Sequence, residues 1–204
     1  MITIIDYGAG NIKSIQNMLK KIGVDSVLTK EVSAIETAQK LILPGVGHFD
    51  HGMQQLRKSG LIDILNKKVI EEQTPLLGIC LGAQMLGNKS DEGKEKGLGW
   101  IDMDIVKFNR ELLNETLKVP HMNWNEINIK KDSKILDKLN NDSRFYFVHS
   151  FHMKTNNSED ILCTSKYGYE FVSGVNRNNI WGVQFHPEKS HKFGMQLLKN
   201  FSNI

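Results

Sequence analysis

The sequence has 204 residues, 40% hydrophobic and 24% charged, with a formal net charge of +3. That length suits one medium domain whose core needs no disulfide or metal to hold it. Lys and Arg are interspersed with Asp and Glu, so no basic face for nucleic acid is expected, and no apolar run reaches the roughly 20 residues that span a bilayer.

Residues 1–8, MITIIDYG, lack the basic lead-in and long apolar core of a secretory signal. A cytoplasmic chain is expected, in which Cys80 and Cys163 do not pair as a disulfide. Residues 2–5 read as a strand, and residues 11–22 carry Ile12, Ile15, Leu19 and Ile22 at helical spacing. Residues 24–28 and 40–43 are further short strands, the latter stopped by Pro44-Gly45. Residues 49–72 read as one or two helices broken at Ser59-Gly60. Residues 75–79 form a fourth strand, and residues 81–86 open a helix.

From Gly99 the texture changes. Apolar runs at residues 101–108, 126–129, 145–148, 171–175 and 180–185 are separated by turn-forming pairs such as Asn140-Asn141 and Asn178-Asn179. Residues 191–201 close the chain with a helix. This order predicts a single α/β domain over residues 1–204. Its central sheet is mostly parallel with helices on both faces, and an antiparallel extension occupies the C-terminal half.

The most informative segment is Pro75-Leu-Leu-Gly-Ile-Cys80-Leu-Gly-Ala-Gln84. An apolar strand ends, Cys80 occupies the turn, and a helix begins, which lifts a nucleophile above the carboxyl edge of a sheet. Gly78 and Gly82 supply the small neighbours that such a turn requires. A helix N-terminus favours a thiolate, and its free N–H groups, that of Leu81 above all, can bind an oxyanion. Most cysteines are small buried hydrophobes; Cys163, within Ile-Leu-Cys-Thr, fits that description and Cys80 does not.

A thiolate needs a base, and the base an orienting group. Trp181-Gly-Val-Gln-Phe-His186-Pro-Glu188 delivers His186 at the end of an apolar strand, with Glu188 able to turn back onto the ring. No Cys-x-x-Cys follows, and His149 and His152 are weakly spaced as ligands, so no metal is expected. Leu43-Pro-Gly-Val-Gly47 follows a strand and can turn N–H groups into a cleft. Asp6-Tyr-Gly-Ala-Gly10 lacks the third glycine of a dinucleotide loop, Lys13 standing there, so no cofactor is expected.

Together, Gly78-Ile-Cys80-Leu-Gly-Ala-Gln84, Phe185-His186-Pro-Glu188-Lys-Ser and Leu43-Pro-Gly-Val-Gly47 resemble the class I (triad) glutamine amidotransferases. Ile5-Asp-Tyr-Gly-Ala-Gly-Asn11, Val119-Pro-His-Met-Asn-Trp-Asn125 and Phe147-Val-His-Ser150 are similar to the histidine-biosynthetic branch of that family. The resemblance runs from Met1 to the final helix. It implies that Cys80 attacks the side-chain amide of L-glutamine, that His186 moves protons and that Glu188 orients it. It implies a glutamine pocket of Gln84, Glu92, Ser150 and the Gly45–Gly47 loop, with the amides of Leu81 and Val46 around the oxyanion. It further implies a heterodimer with a (β/α)₈-barrel synthase that receives the ammonia, with Asn11, Met122, Trp124 and Lys189 at the junction.

The family pattern is not followed everywhere: Ala83 stands where a larger residue is usual, Phe151 where tyrosine is common, and Asn123 where glycine is usual. Asn123 lies beside the expected ammonia route. The acceptor therefore stays open between the histidine pathway and a synthase that amidates surface-polysaccharide sugars. A non-catalytic docking subunit and a cysteine peptidase of similar fold are the remaining alternatives.

Overall fold

The computed structural model describes residues 1–204. The chain runs β1 (Ile2–Ile5), α1 (Ile12–Lys21), β2 (Ser26–Thr29), α2 (Val32–Glu36), β3 (Leu41–Gly45), α3 (Phe49–Lys58), α4 (Ile62–Asn66), β4 (Leu76–Cys80) and α5 (Leu81–Gln84). There follow β5 (Lys89–Ser90), β6 (Met103–Lys107), β7 (His121–Glu126), β8 (Asn128–Ile129), β9 (Arg144–His149), β10 (Phe151–Thr155), β11 (Ile161–Tyr167), β12 (Tyr169–Arg177) and β13 (Ile180–Val183). Helix α6 (His191–Ser202) closes the chain. No helix is long and apolar enough to cross a membrane.

The main sheet is ordered β2-β1-β3-β4-β13-β12-β10-β6-β5, with β11 paired to β12 off this path and β8 paired to β11. Its first five strands are mutually parallel. Strands β12, β10 and β6 then alternate in direction, which is the expected antiparallel extension. Strands β7 and β9 form a separate antiparallel pair. Strand β13, close to the end of the chain, inserts beside β4 and so brings two distant sequence segments to one edge.

Both faces of the parallel half are covered, and residue alternation along the strands decides what lies where. Ile5, Leu41 and Leu43 point to the side of Phe49, Met53 and Leu56. Ile4, Ile42 and Ile79 point to the side of Ile15, Leu19, Leu198 and Phe201. Each such large side chain contributes about 1.5–3 kcal/mol by leaving water.

Several elements depart from the sequence reading. The helix after Cys80 is one turn, not two. Beyond it the carbonyls of Met85, Leu86 and Gly87 accept the amides of Leu98, Trp100 and Gly99, so the following loop takes the acceptors that would have prolonged the helix. Strand β7 was not expected, because His-Met-Asn-Trp-Asn-Glu shows no apolar alternation. Its middle residues are exposed, and backbone pairing with β9 supplies its order. Strands β10 and β11 were likewise unmarked. Cys163 of β11 is buried as expected, and burial pushes its thiol up to about 12, partly offset by the Ser173 hydroxyl.

The sharp turn at Cys80 depends on close backbone contact. A Cβ on Gly82 would overlap the Leu43 carbonyl, and one on Gly78 would stand 2.8 Å from the Ala83 Cα. Gly82→Ala is therefore expected to cost about 1–3 kcal/mol by overpacking, which lowers Tm by roughly 2–12 °C in a chain of this size. Differential scanning calorimetry checks this, and an unchanged Tm would mean that the elbow can move aside.

Candidate active site

Three neighbouring parallel strands end together. Gly45 of β3 lies opposite Cys80 of β4, and Val183 of β13 lies opposite Ile79. Continuing that register, Gln184 comes level with Cys80, and His186 projects from just beyond it. Cys80 and His186, 106 positions apart by number, thus rise from the ends of adjacent strands. The carboxyl edge of an open parallel sheet is where ligands bind in such folds.

Cys80 has φ 54° and ψ −113°, a backbone conformation that favours glycine. Holding a side chain there costs on the order of 1–3 kcal/mol. The conformation lets β4 turn directly into α5, so the Cys80 side chain leaves the sheet edge instead of continuing its alternation. Cys80 is 7% exposed.

His186 is anchored from behind. Its amide donates to the Tyr146 carbonyl at 2.9 Å, and its own carbonyl accepts the Ser190 hydroxyl at 2.6 Å. Its Nδ1 lies 2.8 Å from Glu188 Oε1, both side chains being 1% exposed. A short turn over Pro187–Lys189 folds the carboxylate back onto the ring. Nε2 is buried and has no hydrogen-bond partner at ordinary distance, leaving Cys80 as the group that acts on it. Nucleophile–base contacts are commonly loose before substrate binds.

Burial works against a charged ring, but the Cys80 sulfur and the Glu188 carboxylate overcome it and push His186 up to about 10. A protonated ring is the state that pairs with a thiolate. A base so placed can return that proton to a leaving group, with Glu188 keeping the tautomer fixed.

Beside these groups lies a cavity of about 330 Å³, lined by Val46, Gly47, Cys80, Leu81, Gln84, Glu92, Ser150 and His186, among others. All but one of the expected glutamine-pocket residues therefore line one space. The exception, Gly45, ends β3 just beneath it. The amides of Val46 and Gly47 donate to no protein acceptor. Glu92 Oε2 accepts the Phe49 amide at 2.8 Å, which ties the cavity wall to the start of α3.

The four residues expected at a partner junction lie elsewhere. Met122 and Trp124 are 58% and 39% exposed on β7, and Trp124 stacks on His191. The Lys189 ammonium sits 5.5 Å from the centre of the Tyr146 ring, opposite Trp124 in the strand register. Asn11 precedes α1 and accepts the Ser14 hydroxyl at 2.8 Å.

Sequence reasoning missed Tyr7 and Gln184. The Tyr7 hydroxyl donates to the Pro44 carbonyl at 2.7 Å, fixing the strand end below Val46. Burial, and then the Cys80 sulfur, raise its pKa far above the usual phenol value. Gln184 is fully buried; its Nε2 points at Cys80 Sγ from 3.8 Å, and its Oε1 accepts Gln84 Nε2 at 3.0 Å. A polar residue between Val183 and Phe185, level with Cys80, was the available signal.

Because His186 is held above the ordinary histidine pKa of about 6.5, its stabilising contribution is complete below that value. It is lost as pH rises through about 10. The Tm gap between the wild type and Glu188→Gln should be widest near pH 6 and close toward pH 10; a gap that stays constant would contradict the pairing. Cys80→Gly should melt above Cys80→Ala, because glycine relieves the positive φ. The reverse order would show that no strain is stored there.

A family model described as Glutamine amidotransferase class-I matches residues 3–203. A Pseudomonas aeruginosa protein named imidazole glycerol phosphate synthase subunit HisH 2 is 55% identical over 204 residues, covering 100% of each chain. The imidazole glycerol phosphate synthase subunit HisH of Leptospira interrogans is 43% identical over 204 residues, also covering 100% of each. A solved structure titled glutamine amidotransferase superposes with a TM-score of 0.73 at 18% identity over 100% of both chains, which bears on the fold alone. The match to the family model spans almost every residue, and the chain belongs to the class I glutamine amidotransferases, enzymes of the glutaminase type.

Proposed function

We propose that this chain is the glutaminase subunit of an imidazole glycerol phosphate synthase. In that role residues 1–204 act as one glutamine amidotransferase domain in the cytoplasm, within a heterodimer that serves histidine biosynthesis. The observation that carries the reading is the meeting of Cys80, His186 and Glu188 at the ends of β4 and β13, in a chain 55% identical throughout to a subunit of that name.

The chemistry follows from the geometry. The Cys80 thiolate attacks the side-chain amide carbon of L-glutamine, and the carbonyl oxygen becomes an oxyanion. The Leu81 amide and the free amides of Val46 and Gly47 are the donors at hand. The imidazolium of His186 gives its proton to the departing nitrogen, the C–N bond breaks, and ammonia leaves behind a γ-glutamyl thioester. Water then attacks the thioester while His186 takes a proton, and glutamate departs as the Cys80 thiolate re-forms. Glu188 holds the ring throughout. Gln84, Glu92 and Ser150 line the space for the amino-acid end. A cavity of about 330 Å³ lies at the small end of ligand sites and suits a single amino acid better than a peptide.

Ammonia protonates in bulk water, so it must pass directly to a partner. The exposed Met122 and Trp124, with Lys189 and Asn11, form the face proposed for a (β/α)₈-barrel synthase. A second reading, donation to a sugar-modifying synthase, is favoured by Asn123, whose Oδ1 accepts the Trp124 amide at 2.8 Å within that face.

Cys80→Ala should abolish glutamate release, assayed with the synthase partner bound, while leaving the fold intact. Cys163→Ala should retain nearly full activity. Surviving activity in Cys80→Ala would remove the assigned nucleophile. Glutamine-dependent formation of imidazole glycerol phosphate by the reconstituted complex, given the synthase's own substrate, distinguishes the two acceptors.

A further inference from the structure

A buried pair of imidazoles lies between β7 and the cavity. His149 Nδ1 is 2.8 Å from the Phe151 carbonyl, which can only accept, so Nδ1 carries the proton. His149 Nε2 is then an acceptor, and His121 Nδ1, at 3.0 Å, must donate to it. That leaves His121 Nε2 unprotonated, facing the amide Nδ2 of Asn125 at 3.4 Å, which donates in turn to the Lys166 carbonyl at 2.9 Å. Every proton in the series is thereby assigned, with both rings neutral, as burial also dictates.

The series continues toward the nucleophile. The Phe151 carbonyl also accepts Gln84 Nε2 at 3.2 Å. The same nitrogen donates to Gln184 Oε1, and Gln184 Nε2 points at Cys80 Sγ. One uninterrupted run of polar contacts thus links Asn125 on β7 to the thiol. His121 is clamped face-on between Tyr167 and Phe147, at centroid distances of 4.1 and 4.9 Å, so the ring has little room to turn. Phe108 and Phe171 complete an aromatic surround in which apolar rings would suit packing better than two imidazoles. Along β7, His121 is buried while Met122 and Trp124 are exposed on the face assigned to the partner.

We propose that His121 and His149 are positioning residues of the glutaminase site: their mutual hydrogen bond ties β7 to the Gln84–Gln184 amide pair beside the Cys80 thiol. The proposal rests on the glutaminase reading. Displacement of β7 by a docked partner would be felt through the rings at Phe151 and, from there, at the two amides.

Two substitutions separate positioning from packing. His121→Phe keeps the aromatic volume and removes the donor. His121→Asn packs worse but places an N–H where Nδ1 stood. Glutamate release is measured in the complex with the synthase partner, alongside Tm and the rate at which a diazoketone analogue of glutamine inactivates Cys80. Loss of one neutral hydrogen bond should lower kcat and the inactivation rate roughly 3- to 10-fold in His121→Phe, with KM little changed. His121→Asn should recover most of that loss despite the lower Tm. Wild-type rates in His121→Phe, or rates that simply follow Tm, would overturn the proposal. ¹⁵N spectra of the wild-type imidazoles give a check that needs no variant: both rings should be neutral with the proton on Nδ1, and a proton on Nε2 of either would also overturn it. A wild-type complex that releases no glutamate, with the ¹⁵N assignment as expected, would instead remove the glutaminase reading and the catalytic meaning of the pair with it.

Discussion

The register between β13 and β4 carries the site. With Val183 opposite Ile79, the chain beyond β13 delivers Gln184 beside Cys80 and lifts His186 toward the thiol. Because strand side chains alternate with period two, a slip of one residue would send His186 to the opposite face and bring Phe185 to the sulfur. The slip is opposed on both faces, since Trp181 and Val183 pack on one side and Ile180 on the other. Anchorage continues past the strand, where Tyr146 and Ser190 hold the backbone of His186. Core packing and catalytic geometry are in this sense one constraint.

Around that frame the protein gives up stability locally. Cys80 occupies a backbone conformation suited to glycine, and His186 and Glu188 form a buried pair that a well-packed apolar pair could replace without loss of stability. These costs are concentrated within one cavity, while the apolar faces of β1, β3 and β4 supply the surplus. The order in which charge is arranged matters as well. Glu188 and the Cys80 sulfur both favour the charged form of the His186 ring, against the burial that opposes it.

Much of this was legible in the sequence, for identifiable reasons. The strands of the parallel half are short apolar runs that end in turn residues, and the elbow at Cys80 announced itself through Gly78 and Gly82, whose missing side chains the structure requires. His186 and Glu188 stand two apart with proline between them, and that local geometry survives folding intact. What could not be read was held together by tertiary contact. Strand β7 has no apolar period because its ordering comes from backbone pairing with β9. The one-turn length of α5 is set by the loop at residues 97–101. Tyr7 and Gln184 resemble ordinary turn and strand residues until β3, β4 and β13 are seen to end side by side.

The most direct measurement is the capture of the intermediate. The complex is turning over glutamine when acid quenches it, and its peptides are then mapped by mass spectrometry. A γ-glutamyl group is expected on the peptide bearing Cys80 and not on that bearing Cys163. Turnover with the group found on any other side chain would contradict that expectation.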